Sequence, residues 1–141
     1  MKKILLINGA NMNLLGLRET NTLGTATLEE INEEVIGYSE KFSIEVNTFQ
    51  SNHEGDIIDR IQQANFEYAG VIINPGSFGH YSVGIKEAIS TLSIPCIEVH
   101  LSNFFRNPKN QSAIAPVCTG MITGFGKNSY LVAIDAIKNI V

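Results

Sequence analysis

The amino-acid sequence predicts an α/β fold, in which helices cover both faces of a five-stranded parallel sheet. Two observations predict it. Short apolar runs alternate with segments whose apolar residues recur at helical spacing, and the alternation continues along all 141 residues. The first run, Ile4-Leu5-Leu6-Ile7, is apolar throughout, which is typical of a strand buried on both faces. We expect the flavodoxin-like strand order 2-1-3-4-5 and a single domain over residues 1–141.

Nine segments predict the elements of this fold. Strands are predicted at residues 4–8, 44–49, 70–74, 95–99 and 121–123, because each segment is short, apolar or alternating, and bounded by turn residues. Helices are predicted at residues 27–41, 54–68, 82–91 and 128–141. Thr27-Leu28-Glu29-Glu30 has the pattern of a capping box at a helix start. Val83 and Ile140 are expected to face inward from their helices.

The composition limits the possible function classes. Charged residues make up 17% of the chain, below the roughly 25% typical of soluble domains, so we expect copies of the chain to associate. The net charge of −4 provides no basic surface for nucleic acid or an anionic membrane. No signal-peptide pattern or membrane-spanning run is present, and we expect a cytoplasmic protein. Cys96 and Cys118 form no CxxC motif, so we expect buried, reduced thiols.

Polar side chains collect where the predicted strands end, at positions 8–18, 50–54, 74–82 and 98–103. The carboxyl ends of parallel strands share one edge of a sheet, and ligands bind there. Glu98 and His100 are two residues apart on extended chain, so both side chains point to one face. A carboxylate in that position can orient an imidazole for general acid catalysis. An incidental ion pair at a strand end is the alternative interpretation.

The other two histidines have weaker patterns. His80 lies near a predicted helix start. Its ring either helps the free backbone N–H groups there to bind an anion or simply caps the helix. His53 lies beside Glu54 at another helix start, which favours a structural role. No GxGxxG or GxxxxGK[ST] loop follows the first strand, and no GxSxG elbow occurs. The histidines and Glu98 have no local ligand spacing, and we expect no metal.

Five ordered blocks, over nearly the whole chain, resemble the type II 3-dehydroquinate dehydratases of the shikimate pathway. Residues 8–19, NGANMNLLGLRE, are similar to the family signature NGPNLNLLGxRE. The other blocks are residues 50–55 (QSNHEG), 74–82 (NPGSFGHYS), 97–103 (IEVHLSN) and 124–130 (GFGKNSY). The resemblance implies anti elimination of water from 3-dehydroquinate to 3-dehydroshikimate through an enolate. It implies a lyase of aromatic amino acid biosynthesis that uses no metal or other cofactor.

The resemblance also implies catalytic roles. His100 is the expected acid that protonates the departing hydroxyl, and Glu98 orients its ring. Arg18 is the expected positive charge that activates the base and stabilises developing negative charge. Asn11 is expected to hold a water near the enolate oxygen.

Substrate contacts and an assembly follow from the same resemblance. The expected contacts come from Asn74, His80, Leu101 and Ser102. Glu87 corresponds to an acidic residue that reaches a neighbouring subunit's site. The implied assembly is a dodecamer that is built of trimers. Residues 9–24 are expected to form a lid that carries Arg18, with Gly9, Gly16 and Gly24 as hinges.

Two positions depart from the family's pattern. Leu23 stands where the family has the tyrosine that takes the proton from carbon, and a Leu side chain accepts no proton. After Asn103 the chain is about two residues shorter than the pattern AREEFRxxS. Lys109 then falls at the position of the family's substrate-binding arginine, and a Lys cannot bind a carboxylate in the bidentate geometry of an Arg. Arg106 is the alternative candidate for this role.

Three functional hypotheses follow. The first is a hydro-lyase that uses another base, such as Tyr81, a lid residue or a water. The second is a non-catalytic relative that binds a cyclitol-like acid or a partner protein. The third is a changed reaction in the same pocket. The sequence leaves open whether the reaction serves biosynthesis or quinate breakdown.

Overall fold

The computed structural model describes residues 1–141 and is built on a five-stranded sheet in the order β2-β1-β3-β4-β5. The strands are β1 (Lys2–Asn8), β2 (Ile44–Gln50), β3 (Gly70–Asn74), β4 (Cys96–His100) and β5 (Gly120–Thr123). All four neighbouring pairs are parallel. The predicted fold class and strand order are therefore confirmed.

Helices cover the two faces of the sheet because each presents one apolar stripe. They are α1 (Thr20–Leu23), α2 (Leu28–Glu40), α3 (Glu54–Glu67), α4 (Val83–Ser90) and α5 (Asn128–Ile137). On one face, Ile4 and Leu6 pack with the buried side chains of α2 and α5. On the other, Leu5 and Ile7 pack with those of α3 and α4. None of the helices has both the length and the apolar character that a membrane span requires.

The capping box predicted before α2 is present. Thr27 Oγ1 accepts a hydrogen bond from the Glu30 backbone N–H at 3.2 Å, and the Glu30 carboxylate accepts one from the Thr27 N–H at 3.3 Å. These bonds satisfy N–H groups that otherwise lack partners at a helix start. They fix the point at which α2 begins.

Two predicted core positions are wrong, and several short turns were not predicted. Val83 is 62% exposed, because it is the first residue of α4 and the buried stripe begins at Ile85. Ile140 is 50% exposed, because α5 already ends at Ile137. The short helix α1 and the 3-10 turns at Met12–Leu14, Gly76–His80, Phe104–Arg106 and Ala115–Val117 are too short to show a periodic pattern.

Two glycines let the loop after β1 pack against the loop after β3. A Cβ atom on Gly9 would lie 2.1 Å from the Pro75 carbonyl oxygen, and one on Gly76 would lie 2.6 Å from the Ala10 oxygen. The Gly9 N–H donates a hydrogen bond to the Asn74 carbonyl at 2.8 Å. Gly9 is thus a fixed packing contact and not the hinge that was expected, whereas Gly16 and Gly24 have positive φ angles, which favour glycine.

Gly9→Ala should destabilise the protein by about 1–3 kcal/mol or more, because the new methyl group meets backbone atoms that cannot rotate away. Gly37→Ala is the matched control. It lies within α2 with open space around its Cβ position, and should stabilise the protein by about 0.5–1 kcal/mol. Urea unfolding followed by circular dichroism measures both. Equal midpoints for the two variants would contradict the close contact at Gly9.

Candidate active site

A cavity of about 230 Å³ lies at the carboxyl ends of β3 and β4, beneath the segment that follows β1. It is smaller than the roughly 300–1,000 Å³ of pockets that hold drug-sized ligands, so it suits a small molecule. Six predicted site residues line it: Arg18, Asn74, His80, His100, Leu101 and Ser102. Seven further lining residues have no role predicted from the sequence: Met12, Glu19, Thr22, Gly76, Ser77, Phe104 and Asn110. Leu23 also lines the cavity.

Glu98 and His100 form a buried pair at the end of β4. Oε2 of Glu98 lies 2.5 Å from Nε2 of His100, and Glu98 has no exposed surface. The hydroxyl of Ser112 lies 2.9 and 2.8 Å from the two carboxylate oxygens. Both oxygens of a buried carboxylate therefore have donors, which offsets the cost of its burial. The arrangement orients the imidazole and leaves Nδ1 of His100 without a protein partner.

Phe104 lies between the two histidine rings of the cavity. Its ring centroid is 4.3 Å from that of His100 and 5.3 Å from that of His80, and the planes are inclined by 28° and 21°. Stacking on one aromatic ring restrains both imidazoles and joins them in one cluster at the cavity. Sequence reasoning missed this residue because a Phe in a loop carries no signal of what it packs against.

A buried chain of hydrogen bonds holds Asn74 in place. The Asn74 side-chain amide donates to the Tyr130 hydroxyl at 3.0 Å, and that hydroxyl donates to Oδ1 of Asn8. Oδ1 of Asn74 accepts the Gly76 backbone N–H at 3.2 Å. Burial raises the pKa of Tyr130, so its hydroxyl remains a neutral donor and acceptor. Tyr130 belongs to the block GFGKNSY, and the sequence predicts no role for it, because the partner that a buried Tyr hydroxyl requires lies far away in the chain.

The lid side of the cavity carries one ion pair. Nη2 of Arg18 lies 2.9 Å from Oε2 of Glu19, and Arg18 Nε has no hydrogen-bond partner. Glu19 has a φ angle of 44°, in the left-handed region that few side chains other than Asn and Asp adopt. Leu23, at the end of α1, lines the cavity from the same segment.

Four predicted residues are not among those that line the cavity. One of them, Glu98, has no exposed surface and contacts His100 from within the protein. Asn11 is exposed and its backbone N–H donates to Asn52 at 2.9 Å. Glu87 lies exposed on α4, and Lys109 is exposed in the loop after β4. Arg106, the alternative to Lys109, is exposed and does not line the cavity either. The chain contains no group of three or more His, Cys, Asp or Glu side chains arranged to hold a metal ion.

Tyr130→Phe should destabilise the protein by about 1–3 kcal/mol, because it leaves the buried side chains of Asn8 and Asn74 without their shared partner. Tyr68→Phe is the control, since its hydroxyl makes no hydrogen bond within the protein, and should change stability by less than about 0.5 kcal/mol. Chemical denaturation of both variants measures the difference. A Tyr130 variant as stable as the control would argue against the hydrogen-bond chain.

Comparisons with known proteins give a consistent picture. The model of the family described as "Dehydroquinase class II" matches residues 2–138. A protein from Caldicellulosiruptor bescii named 3-dehydroquinate dehydratase is 48% identical over 143 residues, which is 99% of each chain. Both have nearly the same length, so the similarity extends over all the elements described above.

Solved structures extend the similarity to three dimensions. The type II dehydroquinase from Butyrivibrio crossotus is 43% identical, with a TM-score of 0.91 over 96% of this chain and 97% of that one. The type II dehydroquinase from Propionibacterium acnes is 33% identical, with a TM-score of 0.95 over 99% and 97% of the two chains. The similarity therefore includes the sheet edge that forms the cavity.

Proposed function

The chain belongs to the class II dehydroquinase family, and from this premise we propose that it removes water from 3-dehydroquinate to give 3-dehydroshikimate. The single observation that carries the proposal is that His100, held by the buried carboxylate of Glu98, lines one small cavity together with Arg18 and Asn74. This set supplies an acid, a fixed positive charge and a hydrogen-bonding amide. The reaction is a step of the shikimate pathway.

His100 supplies the acid half of the reaction. When protonated, it donates through Nε2 to Glu98 and carries its second proton on Nδ1, the nitrogen without a protein partner. Delivery of that proton turns the departing hydroxyl into water. The Glu98 carboxylate stabilises the imidazolium before transfer and accepts the remaining N–H of the neutral ring afterwards.

Arg18 stabilises the negative charge that develops on the carbonyl oxygen when the enolate forms. Its guanidinium stays charged and has five N–H donors. Nη2 pairs with Glu19, whereas Nε has no hydrogen-bond partner. The segment around it makes few buried contacts, since no residue of α1 is buried. Closure of this segment over the substrate would exclude water and strengthen these interactions.

The substrate's carboxylate and hydroxyl groups bind at the sheet edge, to Asn74, His80, Leu101 and Ser102. The first of these is held rigidly by Tyr130, which supports a role in orientation. Asn11 holds a water near the enolate oxygen when the lid closes. Lys109 takes the place of the family's arginine, and its exposure allows it to move towards the cavity.

The protein works in the cytoplasm as a single domain over residues 1–141. Twelve copies assemble as a dodecamer that is built of trimers. Exposed apolar side chains support association, among them Phe66 (89% exposed), Phe125 and Val83 (each 62%). Glu87 is exposed on α4 and does not line the cavity of its own chain, which supports a contact with a neighbouring subunit.

A second candidate function is binding without turnover, and Leu23 favours it. This side chain lines the cavity where the family pattern has a tyrosine base. Loss of general base catalysis typically costs about 10²–10⁴-fold in rate. A relative that keeps the cavity but not the chemistry would bind a cyclitol-like acid with no product formed.

His100→Gln should lower kcat by about 10²–10⁴-fold, because it removes the proton donor from the cavity. Absorbance of the conjugated enone-carboxylate product follows the reaction with 3-dehydroquinate. His53→Gln, outside the cavity, is the control and should retain the wild-type rate. Tight binding of 3-dehydroquinate by a wild-type protein that forms no product would instead select the binding function.

Sedimentation equilibrium should give a mass twelve times the 15.4 kDa of one chain. The apolar side chains exposed on one chain are expected to be covered in that assembly. If Phe66 lies in an interface between chains, Phe66→Ser should lower the measured mass of the assembly. A wild-type species at the mass of one chain would contradict the proposed assembly.

A further inference from the structure

We propose that the Glu19 carboxylate is the base that removes the carbon-bound proton, an inference that rests on the proposed hydro-lyase activity. Elimination of water needs two proton transfers, one to the departing hydroxyl and one from the adjacent carbon. His100 carries out the first. The second needs a separate acceptor that lines the same cavity.

The lid side of the cavity offers one strong proton acceptor. Its lining residues are Arg18, Glu19, Thr22 and Leu23. A guanidinium only donates, a Leu side chain has no polar atom, and a Thr hydroxyl is a poor base without a partner to activate it. Glu19 is the only acidic residue that lines the cavity, so its carboxylate is the available acceptor.

The opposite side of the cavity cannot supply this base. In an anti elimination, the proton and the hydroxyl leave from opposite faces of the ring. His80 belongs with His100 to one cluster of rings stacked on Phe104, at the carboxyl ends of β3 and β4, and not to the segment that carries Arg18 and Glu19. Glu98 has no exposed surface, and both of its oxygens are engaged by His100 and Ser112.

Two features of Glu19 fit this role. Nη2 of Arg18 lies 2.9 Å from its Oε2, which holds the carboxylate beside the guanidinium that stabilises the enolate. The residue also adopts a left-handed backbone with φ 44° and ψ 42° at the start of α1. Such strained conformations outside glycine cluster at functional sites, where the surrounding structure maintains them.

The proposed step balances without a co-reactant. Glu19 takes the proton from the carbon next to the ketone, and the C–H electron pair forms the enolate, whose charge Arg18 stabilises. The enolate then collapses to the conjugated enone, the C–O bond breaks with its electron pair, and His100 protonates the departing oxygen. Solvent removes the proton from Glu19 and returns one to His100, which restores both groups.

The first test is Glu19→Gln, which keeps the side chain's size and removes its basicity. We expect kcat for 3-dehydroquinate to fall by at least about 100-fold, with the substrate Kd from titration calorimetry changed by less than about fivefold. Glu33→Gln makes the same chemical change on the exposed side of α2 and should leave kcat unchanged. A Glu19→Gln kcat within about threefold of wild type would overturn the proposal.

The second test separates a base from a residue that merely positions Arg18. Leu23→Tyr introduces a phenol at a neighbouring point of the same cavity side. In the Glu19→Gln background it should raise kcat at least about tenfold, because only the proton acceptor is missing. A double variant no faster than Glu19→Gln would make Glu19 a positioning residue and overturn the proposal.

These outcomes remain distinct from failure of the proposed function. A wild-type protein that forms no product from 3-dehydroquinate overturns the hydro-lyase activity, and this inference with it. Wild-type turnover with an undiminished Glu19→Gln variant overturns only the assignment of the base. Circular dichroism spectra of all variants, matched to wild type, establish that the comparisons concern chemistry and not folding.

Discussion

A carboxylate without solvent contact is the constraint on which the site depends. Glu98 lies in the middle of β4, an inner strand of the sheet, where an unpaired charge would be strongly destabilising. His100 meets one side of it, and Ser112 reaches it from the far end of a long loop. Satisfying the carboxylate therefore also anchors that loop across the sheet edge. The anchored loop brings Phe104 against both imidazoles and Asn110 to the cavity wall.

A second buried polar chain connects elements that are far apart in sequence. Tyr130 joins Asn8 at the end of β1 to Asn74 at the end of β3, from a helix on one face of the sheet. Gly9 and Gly76 let the two loops meet at backbone distance just beyond these asparagines. The sheet edge is thus a rigid platform on which small shifts of a side chain are costly.

The other side of the cavity has a different physical character. The segment from residue 16 to residue 24 begins and ends at glycines with positive φ angles and buries no residue of α1. Its groups, Arg18 and Glu19, are charged, paired with each other and partly exposed. In the mechanism that we propose, an acid on the rigid sheet edge and a base on this segment divide the two proton transfers between them. In this division Leu23 is an apolar neighbour of the chemistry and leaves the proton transfer to another group.

The sequence by itself determined the features that depend on local periodicity. Apolar runs located the strands, the capping box located the start of α2, and a spacing of two put Glu98 and His100 on one face. Only the tertiary structure decided the partners of these groups. Ser112 is fourteen residues from Glu98, and Tyr130 is 122 residues from Asn8. Periodicity acts over a few residues, whereas such contacts depend on how loops cross the sheet edge, which no local pattern specifies.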